Sequence, residues 1–307
     1  MPTDPQNGVC GIAGFRSRYA DLDDVRLHYV IGGEGPTLVL LHGWAQSWWA
    51  WRALMPTLAE RFTVVAPDLR GVGESSVPAG GFDKRTMARD VRDLADHLGA
   101  SEISLAGHDI GGMVAYAYAA QFPETLRQVA IAAVIVPEPS WRELRLLPGG
   151  PVWPWWWAFH SVEQIADKLI GDNLSYYLNA FYDFQYAGMN QDTLAITAAD
   201  RERFVAAYSR PGALNAGLGW FRAFGQDIDD NRAWLATRLE VPWLALGDPR
   251  VLAGMAEQGT RISSKSQAVE ISPAGHWVLQ QQPTKVLDAL LPFLGGAEAN
   301  AKPTRIV

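Results

Sequence analysis

An aspartate at the apex of a glycine-flanked turn is the residue that says most about the chemistry of this chain. The turn spans Ala106–Gly112 and has Asp109 at its centre. The preceding residues, Ile103–Ala106, predict a short buried strand, and Met113–Gln121 predict an alanine-rich helix. A strand, a sharp turn of small residues and a helix form a nucleophile elbow, where the backbone is strained and the helix lies close to the strand. A carboxylate nucleophile there would attack a carbon atom and form an alkyl ester, which points away from ordinary esterases.

Two further residues complete a hydrolytic set in the chain order nucleophile, acid, histidine. Asp248 follows the predicted strand Val241–Leu246, and His276 follows the predicted strand Gln267–Ile271. Both lie at carboxyl ends of strands, where open parallel sheets place their sites. The histidine would accept a proton from water, and the acid would fix its tautomer and stabilise the imidazolium. The alternative for Asp248 is a simple turn residue, because a proline follows it.

A third element is the loop His42–Gln46, which comes directly after another predicted strand. Its backbone N–H at Trp44, together with that of Ile110, predicts an oxyanion hole. We interpret the side chains of His42 and His108 as shaping their loops. The segment Asp68–Ser75 contains glycines but lacks the spacing of a phosphate-binding loop, so we interpret it as a structural turn.

Composition and charge favour a soluble globular enzyme. The chain has 307 residues, of which 48% are hydrophobic and 19% charged, enough for a sizeable core. A net charge of −7 and a pI near 5.4 argue against nucleic acid or an anionic membrane as a partner. The single cysteine, Cys10, fits a reducing compartment. Because we find neither a signal-peptide pattern nor an apolar stretch long enough to span a bilayer, we expect a cytoplasmic protein.

The elements that position these residues alternate between strands and helices over most of the chain. This alternation predicts an α/β fold with a mostly parallel central sheet and helices on both faces. The predicted strands are Val25–Ile31, Thr37–Leu41, Phe62–Ala66, Ile103–Ala106, Gln128–Val136, Val241–Leu246 and Gln267–Ile271. The predicted helices of the core are Trp49–Glu60, Lys84–Leu98, Met113–Gln121 and Pro283–Leu294.

The alternation stops in residues 137–236, which are rich in tryptophan and predict helices without a strand pair. We interpret this stretch as a helical cap inserted between two strands of a core formed by residues 15–136 and 237–296. The remaining segments, 1–14 and 297–307, are interpreted as flexible tails because small and polar residues dominate them.

Taken together, these motifs resemble the α/β-hydrolase superfamily and, within it, the epoxide hydrolases with an aspartate nucleophile. The resemblance is carried by His42–Trp44, Asp68–Ser75, Gly107–Gly112 and Gly275–Trp277, and it covers residues 15–296. It implies an α/β-hydrolase fold with an inserted helical cap, and a catalytic triad formed by the nucleophile, the acid and the histidine.

The resemblance also bears on the acid. The spacing between Asp248 and His276 is similar to that of the epoxide hydrolases, although Asp248 lies closer to Gly247 than the family's acid usually does. A related bacterial branch places the acid after the strand before the cap. Here that region reads Ala132–Val136 and contains no acid, so Asp248 is the predicted partner of the histidine.

The cap departs from the family pattern. Epoxide hydrolases usually open the ring with two cap donors, Tyr/Tyr or His/Tyr, but here Trp156 stands at the place of the histidine and Phe221 at that of the tyrosine. Phenylalanine donates no hydrogen bond, whereas an indole N–H can donate one without supplying a proton. We therefore predict an atypical donor pair of Trp156 and Trp157 for the epoxide oxygen. The alternative is that these tryptophans serve only for packing.

The resemblance thus implies an enzyme that hydrolyses an apolar, ring-containing epoxide to a vicinal diol through an alkyl ester on Asp109. We expect no metal and no organic cofactor, with a small epoxide and water as partners and a homodimer as an open alternative. A dehalogenase with the same nucleophile is a rival, although Ile110 and Met113 occupy places where related dehalogenases carry a halide-binding tryptophan or carboxylate-binding arginines. A ligand-binding protein without hydrolytic activity is the other rival.

Overall fold

A central eight-stranded sheet organises the protein. A computed structural model describes residues 11–144, 154–186 and 195–296 of the chain. The strands are β1 Phe15–Asp21, β2 Arg26–Gly32, β3 Thr37–Leu41, β4 Thr63–Pro67, β5 Ile103–His108, β6 Leu126–Ala132, β7 Trp243–Gly247 and β8 Ser266–Glu270. Their order is β1-β2-β4-β3-β5-β6-β7-β8. The pairs β1–β2 and β2–β4 are antiparallel and the other neighbouring pairs are parallel, so the predicted fold class is confirmed.

The helices connect the strands and pack against the sheet. They are α1 Met55–Leu58, α2 Lys84–His97, α3 Ile110–Gln121, α4 Trp155–Ser161, α5 Ile165–Gly171, α6 Leu174–Tyr186, α7 Ala198–Ser209, α8 Ala213–Arg222, α9 Phe224–Trp234, α10 Pro249–Ile262, α11 Val278–Gln281 and α12 Pro283–Gly295. Helix α3 packs on β3, β5 and β6, and α10 packs on β7 and β8. Within the described ranges, no helix has the length and apolar character needed to cross a membrane.

Helices α4–α9 lie between β6 and β7 in the chain, and we call them the helical insertion. Buried ion pairs join it to the rest of the protein. Lys84 at the start of α2 donates to Asp227 in α9 at 2.8 Å, and Arg52 pairs with Asp200 in α7 at 2.5 Å. The predicted division into core and cap domains stays a prediction. Residues 297–307 and most of the predicted N-terminal tail lie outside the described residues.

Two predicted elements differ from the structure, and one strand of the structure was not predicted. The helix expected over Trp49–Glu60 is a 3₁₀ turn followed by the short α1, because Pro56 has no N–H to continue a helix. Strand β6 ends at Ala132 rather than Val136, since Ala133 adopts a left-handed conformation with φ of 53° that breaks the strand. Strand β1, Phe15–Asp21, was not predicted, because exposed polar residues occupy most of its positions.

Candidate active site

The turn between β5 and α3 holds Asp109 in a strained conformation, with φ of 52°. Its backbone is fixed on both sides. The Asp109 N–H donates to the Ala132 carbonyl at 3.1 Å, and the Asp109 carbonyl accepts from the N–H groups of Gly112 and Met113 at 2.8 and 3.2 Å. A non-glycine residue with positive φ is costly and persists only when its surroundings enforce it. The nucleophile elbow expected from the sequence is present in the structure.

Two glycines allow the backbone to close around this turn. A Cβ atom at Gly111 would lie 2.3 Å from the carbonyl oxygen of Leu41, and one at Gly43 would lie 2.4 Å from Cβ of Asp109. Neither contact is sterically possible, because the atoms it would meet belong to the backbone or to the start of a side chain. Glycine at these two positions therefore lets β3, its following loop and α3 meet beside Asp109.

The loop after β3 supplies a hydrogen bond to the carboxylate. The N–H of Trp44 donates to Oδ1 of Asp109 at 2.8 Å. Ile110 is the first residue of α3, where backbone N–H groups have no carbonyl acceptor within their own helix. The two residues predicted for the oxyanion hole thus both adjoin Asp109.

His276 faces the other carboxylate oxygen. Its Nε2 atom lies 3.6 Å from Oδ2 of Asp109, and the two side chains are 16% and 20% exposed, so water can reach both. Burial lowers the pKa of His276 below its ordinary value, while the charges of Asp109 and Asp248 and a backbone hydrogen bond with Ala133 oppose this shift. The imidazole is therefore neutral at neutral pH and can accept a proton.

His108 supports the histidine from behind. Its Nε2 atom lies 2.8 Å from the backbone carbonyl oxygen of His276. Burial lowers the pKa of His108 to about 4, so its ring is neutral at neutral pH. Because a carbonyl oxygen can only accept, Nε2 must carry the proton. The loop-shaping interpretation of His108 agrees with this contact.

Asp248 is buried beside the site but does not hydrogen bond to His276 in the part of the chain that is described. It caps the N-terminus of α10, where Oδ1 accepts from the backbone N–H of Arg250 at 3.1 Å and from its Nε at 2.6 Å. Its negative charge raises the pKa of His276. The role of Asp248 as the catalytic acid stays a prediction, and the sequence alternative, a turn residue, did not include the helix cap that the structure shows.

The two tryptophans predicted as donors lie in α4 and are half-buried. Trp156 packs edge-on against Phe181 at 5.8 Å between ring centroids, and Trp157 stacks on Trp141 at 4.1 Å. Neither indole N–H donates a hydrogen bond within the described residues. Both groups are thus available to an acceptor on a bound molecule.

Phe221 in α8 connects the helical insertion to the oxyanion loop, which we define as residues 42–47. Its ring lies edge-on to Trp44 with 5.5 Å between centroids, and 5.3 Å from the ring of Phe224. Because Phe224 in turn contacts Trp157 at 5.7 Å, a continuous row of aromatic rings runs from α4 to the loop beside Asp109, and Trp44, Phe221 and Phe224 in this row are buried.

The sequence interpretation missed one polar pair in the helical insertion. His160 is buried, its Nε2 lies 2.7 Å from the Tyr177 hydroxyl, and its ring contacts Trp44 and Phe221 at 5.0 and 4.5 Å. Burial lowers the pKa of His160 to about 3, which keeps it neutral. The available signal was helical spacing, because residue 160 follows Trp156 by one turn of α4 and shares its face.

The segment Asp68–Ser75 is a structural turn, as predicted. Asp68 accepts from the backbone N–H groups of Trp48 and Glu74 at 3.0 and 2.9 Å, and His42 accepts from the Leu69 N–H at 3.0 Å. Within the residues that the structure describes, no group of three or more His, Cys, Asp or Glu side chains is placed to hold a metal ion.

Comparison with known proteins identifies the family of this chain. The profile of the α/β hydrolase fold family matches residues 36–283, which is most of the chain. The chain belongs to the α/β-hydrolase fold family. A soluble epoxide hydrolase of Corynebacterium sp. (strain C12) is 34% identical over 285 residues, covering 89% of this chain and 95% of that protein. The predicted relationship of this α/β hydrolase to the epoxide hydrolases is thereby confirmed.

Other relatives show how broad the similarity is. A fluoroacetate dehalogenase of Burkholderia sp. is 27% identical over 301 residues, which cover 95% of this α/β hydrolase and 97% of that protein. Among solved structures, Cfl2 of Burkholderia cenocepacia has a TM-score of 0.84 at 33% identity and covers 94% of this chain and 98% of its own. The epoxide hydrolase CorEH has a TM-score of 0.82 at 33% identity, with coverages of 92% and 99%.

Proposed function

We propose that this α/β hydrolase opens an apolar, ring-containing epoxide to a vicinal diol through a covalent ester on Asp109. One observation carries the proposal: the two oxygens of the Asp109 carboxylate have different neighbours. Oδ1 accepts the Trp44 N–H, whereas Oδ2 faces Nε2 of His276. Relatives named as epoxide hydrolases support the same reaction.

In the first step, Oδ2 of Asp109 attacks a ring carbon of the epoxide. A bond forms between that oxygen and the carbon, and the carbon–oxygen bond of the ring breaks, leaving negative charge on the former epoxide oxygen. The indole N–H groups of Trp156 and Trp157 are the proposed donors to this oxygen. Because indole does not release its proton at neutral pH, the alkoxide takes a proton from water.

In the second step, the neutral imidazole of His276 takes a proton from a water molecule whose oxygen attacks Cγ of Asp109. Negative charge develops on Oδ1, where the N–H groups of Trp44 and Ile110 stabilise it. The bond between Cγ and Oδ2 then breaks, and the leaving oxygen takes the proton held by His276. The proton on the new Asp109 carboxyl group neutralises the hydroxide left by the first step, which restores the carboxylate. Asp248 is the proposed source of the charge that stabilises the imidazolium.

The row of aromatic rings between α4 and the oxyanion loop supports an apolar substrate. Rings of Trp157, Phe224, Phe221 and Trp44 follow one another along it. Such side chains contribute large apolar contact areas and favour flat, ring-containing partners. A neutral epoxide and water are accordingly the proposed partners.

The proposal is tested by trapping the ester. His276→Gln should still react with an epoxide and then stall, because the carboxylate remains while the base is lost. Intact-mass spectrometry after incubation with a panel of aryl and polycyclic epoxides should show the protein gaining the mass of one substrate. Asp109→Asn is the matched control and should gain nothing. An unmodified but folded His276→Gln protein would contradict the covalent route.

Dehalogenation is a second candidate because a relative carries that name and because it begins with the same attack at carbon. Its substrate loses halide instead of opening a ring. Halide release from fluoroacetate or from haloalkanes, with no diol from any epoxide, would favour it over the proposed function. Retained ligand binding by the parent protein with neither product would favour a ligand-binding protein.

A further inference from the structure

Tyr182 in α6 connects the helical insertion to the oxyanion loop. Its hydroxyl donates to the backbone carbonyl of Ala45 at 2.6 Å, and its side chain is completely buried. Ala45 directly follows Trp44, whose N–H holds Oδ1 of Asp109. This carbonyl belongs to the second peptide after the one whose N–H contacts Asp109, so a change in its position is transmitted through residues 44 and 45 to that N–H.

The same residue also contacts the loop that carries the histidine, residues 272–277, which we call the histidine loop. Nε1–H of Trp277 donates to the backbone carbonyl of Tyr182 at 3.3 Å, and the two rings pack edge-on with 5.5 Å between centroids. Trp277 is completely buried and directly follows His276. Both catalytic loops thus meet one residue of α6.

The chemical state of Tyr182 is fixed by its surroundings. Burial raises the pKa of its hydroxyl, so it remains protonated and acts as a donor at all physiological pH values. Since that hydrogen is given to Ala45, it is not available to a substrate oxygen. A donor and an acceptor on one buried residue satisfy groups that would otherwise be costly to bury in both loops.

We propose that Tyr182 is a positioning residue that sets the distance between the oxyanion loop and the histidine loop. The inference rests on the proposed function, because it concerns the same two steps at Asp109. Its donor bond to Ala45 fixes the Trp44 N–H, and its carbonyl fixes the residue after His276. The helical insertion thereby takes part in aligning the base with the ester.

The two steps depend on this alignment to different extents. In ester formation the Trp44 N–H contacts an oxygen that already carries charge in the free enzyme. In ester hydrolysis, Oδ1 passes from a neutral ester carbonyl to a charged oxygen, so the same N–H matters more in the transition state than in the ground state. The second step also requires His276 to hold a water molecule against Cγ. A displaced loop should therefore slow hydrolysis more than formation.

Tyr182→Phe tests the inference because it deletes the hydroxyl and keeps the ring. Quench-flow with intact-mass detection separates the two steps. We expect ester hydrolysis to slow by about tenfold or more, short of the effect of deleting an oxyanion donor, while ester formation changes by less than about threefold. The alkyl-enzyme should consequently accumulate during turnover.

Tyr118→Phe is the matched control. Tyr118 is also completely buried, and its hydroxyl hydrogen bonds to Oγ1 of Thr125 at 2.8 Å near the far end of α3. The variant loses a hydroxyl that makes a part-buried bond to Thr125 and also bonds to Arg92, without touching either catalytic loop. It should lower the melting temperature similarly and leave the ratio of the two rates unchanged. An equal change of that ratio in both variants would mean that Tyr182 matters only for stability.

A measurement that needs no substrate decides the inference separately from the proposed function. Hydrogen–deuterium exchange of a peptide covering residues 42–48 should accelerate in Tyr182→Phe and not in Tyr118→Phe, whereas a peptide covering residues 272–279 should change less, because Phe keeps the carbonyl and the ring that contact Trp277. Unchanged exchange of the peptide covering residues 42–48 would overturn the positioning role. Failure of His276→Gln to form any ester would instead overturn the proposed function, with the exchange result still deciding the placement of the loops.

Discussion

At the scale of single residues, the site divides one carboxylate into two chemically different oxygens. The Trp44 N–H holds Oδ1 of Asp109 in the direction where an oxyanion would form, and this leaves Oδ2, the proposed nucleophile, facing His276. A serine offers only one oxygen, so it could not act as the nucleophile and also keep the carbonyl oxygen in the hole before reaction.

Single-residue substitutions also test the proposed donors to the epoxide oxygen. Trp156→Phe and Trp157→Phe keep aromatic bulk but remove an N–H that has no other acceptor in the described residues. If these groups stabilise the developing alkoxide, at least one variant should form the ester roughly a hundredfold more slowly, as expected for the loss of an oxyanion donor. Single-turnover intact-mass kinetics measures this rate.

Substrate affinity and melting temperature serve as controls for these two variants, because both should stay near the parent values if only donation is lost. Phe221→Tyr makes the opposite change, because it adds a hydroxyl donor to the row of aromatic rings next to Trp44. Parental rates of ester formation in both tryptophan variants would assign them to packing, as the alternative interpretation of the sequence holds.

At the scale of elements, the predicted acid, Asp248, also stabilises the helix α10 that it precedes. Asp248 caps this helix and pairs with Arg250 while its charge acts on His276. Asp248→Asn keeps a side chain that caps well but removes the charge. We expect ester hydrolysis to slow by at least about tenfold, since a base with a poorer partner is a weaker catalyst.

The pH profile distinguishes the electrostatic role of Asp248 from its capping role. The charge of Asp248 raises the pKa of His276, and that of Arg250 lowers it. The acidic limb of the hydrolysis rate should therefore move to lower pH in Asp248→Asn and to higher pH in Arg250→Gln. Profiles that coincide with the parent in both variants would leave Asp248 as a helix cap only.

The sequence predicted those parts of the site that depend on contiguous residues. The elbow around Asp109 and the position of His276 follow from local motifs, because glycine spacing and strand ends can be recognised from residues that are close together in the sequence. The pair of His160 and Tyr177 was missed, since it forms between two helices of the insertion. The early end of β6 was missed because nothing in the local sequence shows that Ala133 takes a left-handed conformation.

At the scale of the whole molecule, a buried histidine in β2 links the neighbouring strand β1 to the turn after β4. His28 in β2 hydrogen bonds through Nδ1 to Asp68 at 2.8 Å and through Nε2 to Ser17 in β1 at 2.8 Å. Burial lowers the pKa of His28, but the hydrogen bond and charge of Asp68, together with the charge of Glu74, outweigh it and raise the pKa above its ordinary value. Protonation of this residue is consequently coupled to folding.

This coupling has a definite sign. Because the pKa of His28 is higher in the folded protein than in the unfolded chain, its contribution to the free energy of unfolding is fully present below the unfolded value of about 6.5 and is lost as pH rises through the folded value.

His28→Gln removes the charge and should lower the free energy of unfolding by about 1.5–3 kcal/mol at the acidic end, the range for hydrogen bonds to charged groups. Urea denaturation from about pH 6 upward measures the difference between parent and variant. That difference should shrink as pH rises, and His97→Gln, which changes an exposed histidine at the end of α2, is the control for the loss of an imidazole outside the buried site. A difference for His28→Gln that grows with pH would show that the residue is neutral in the folded protein.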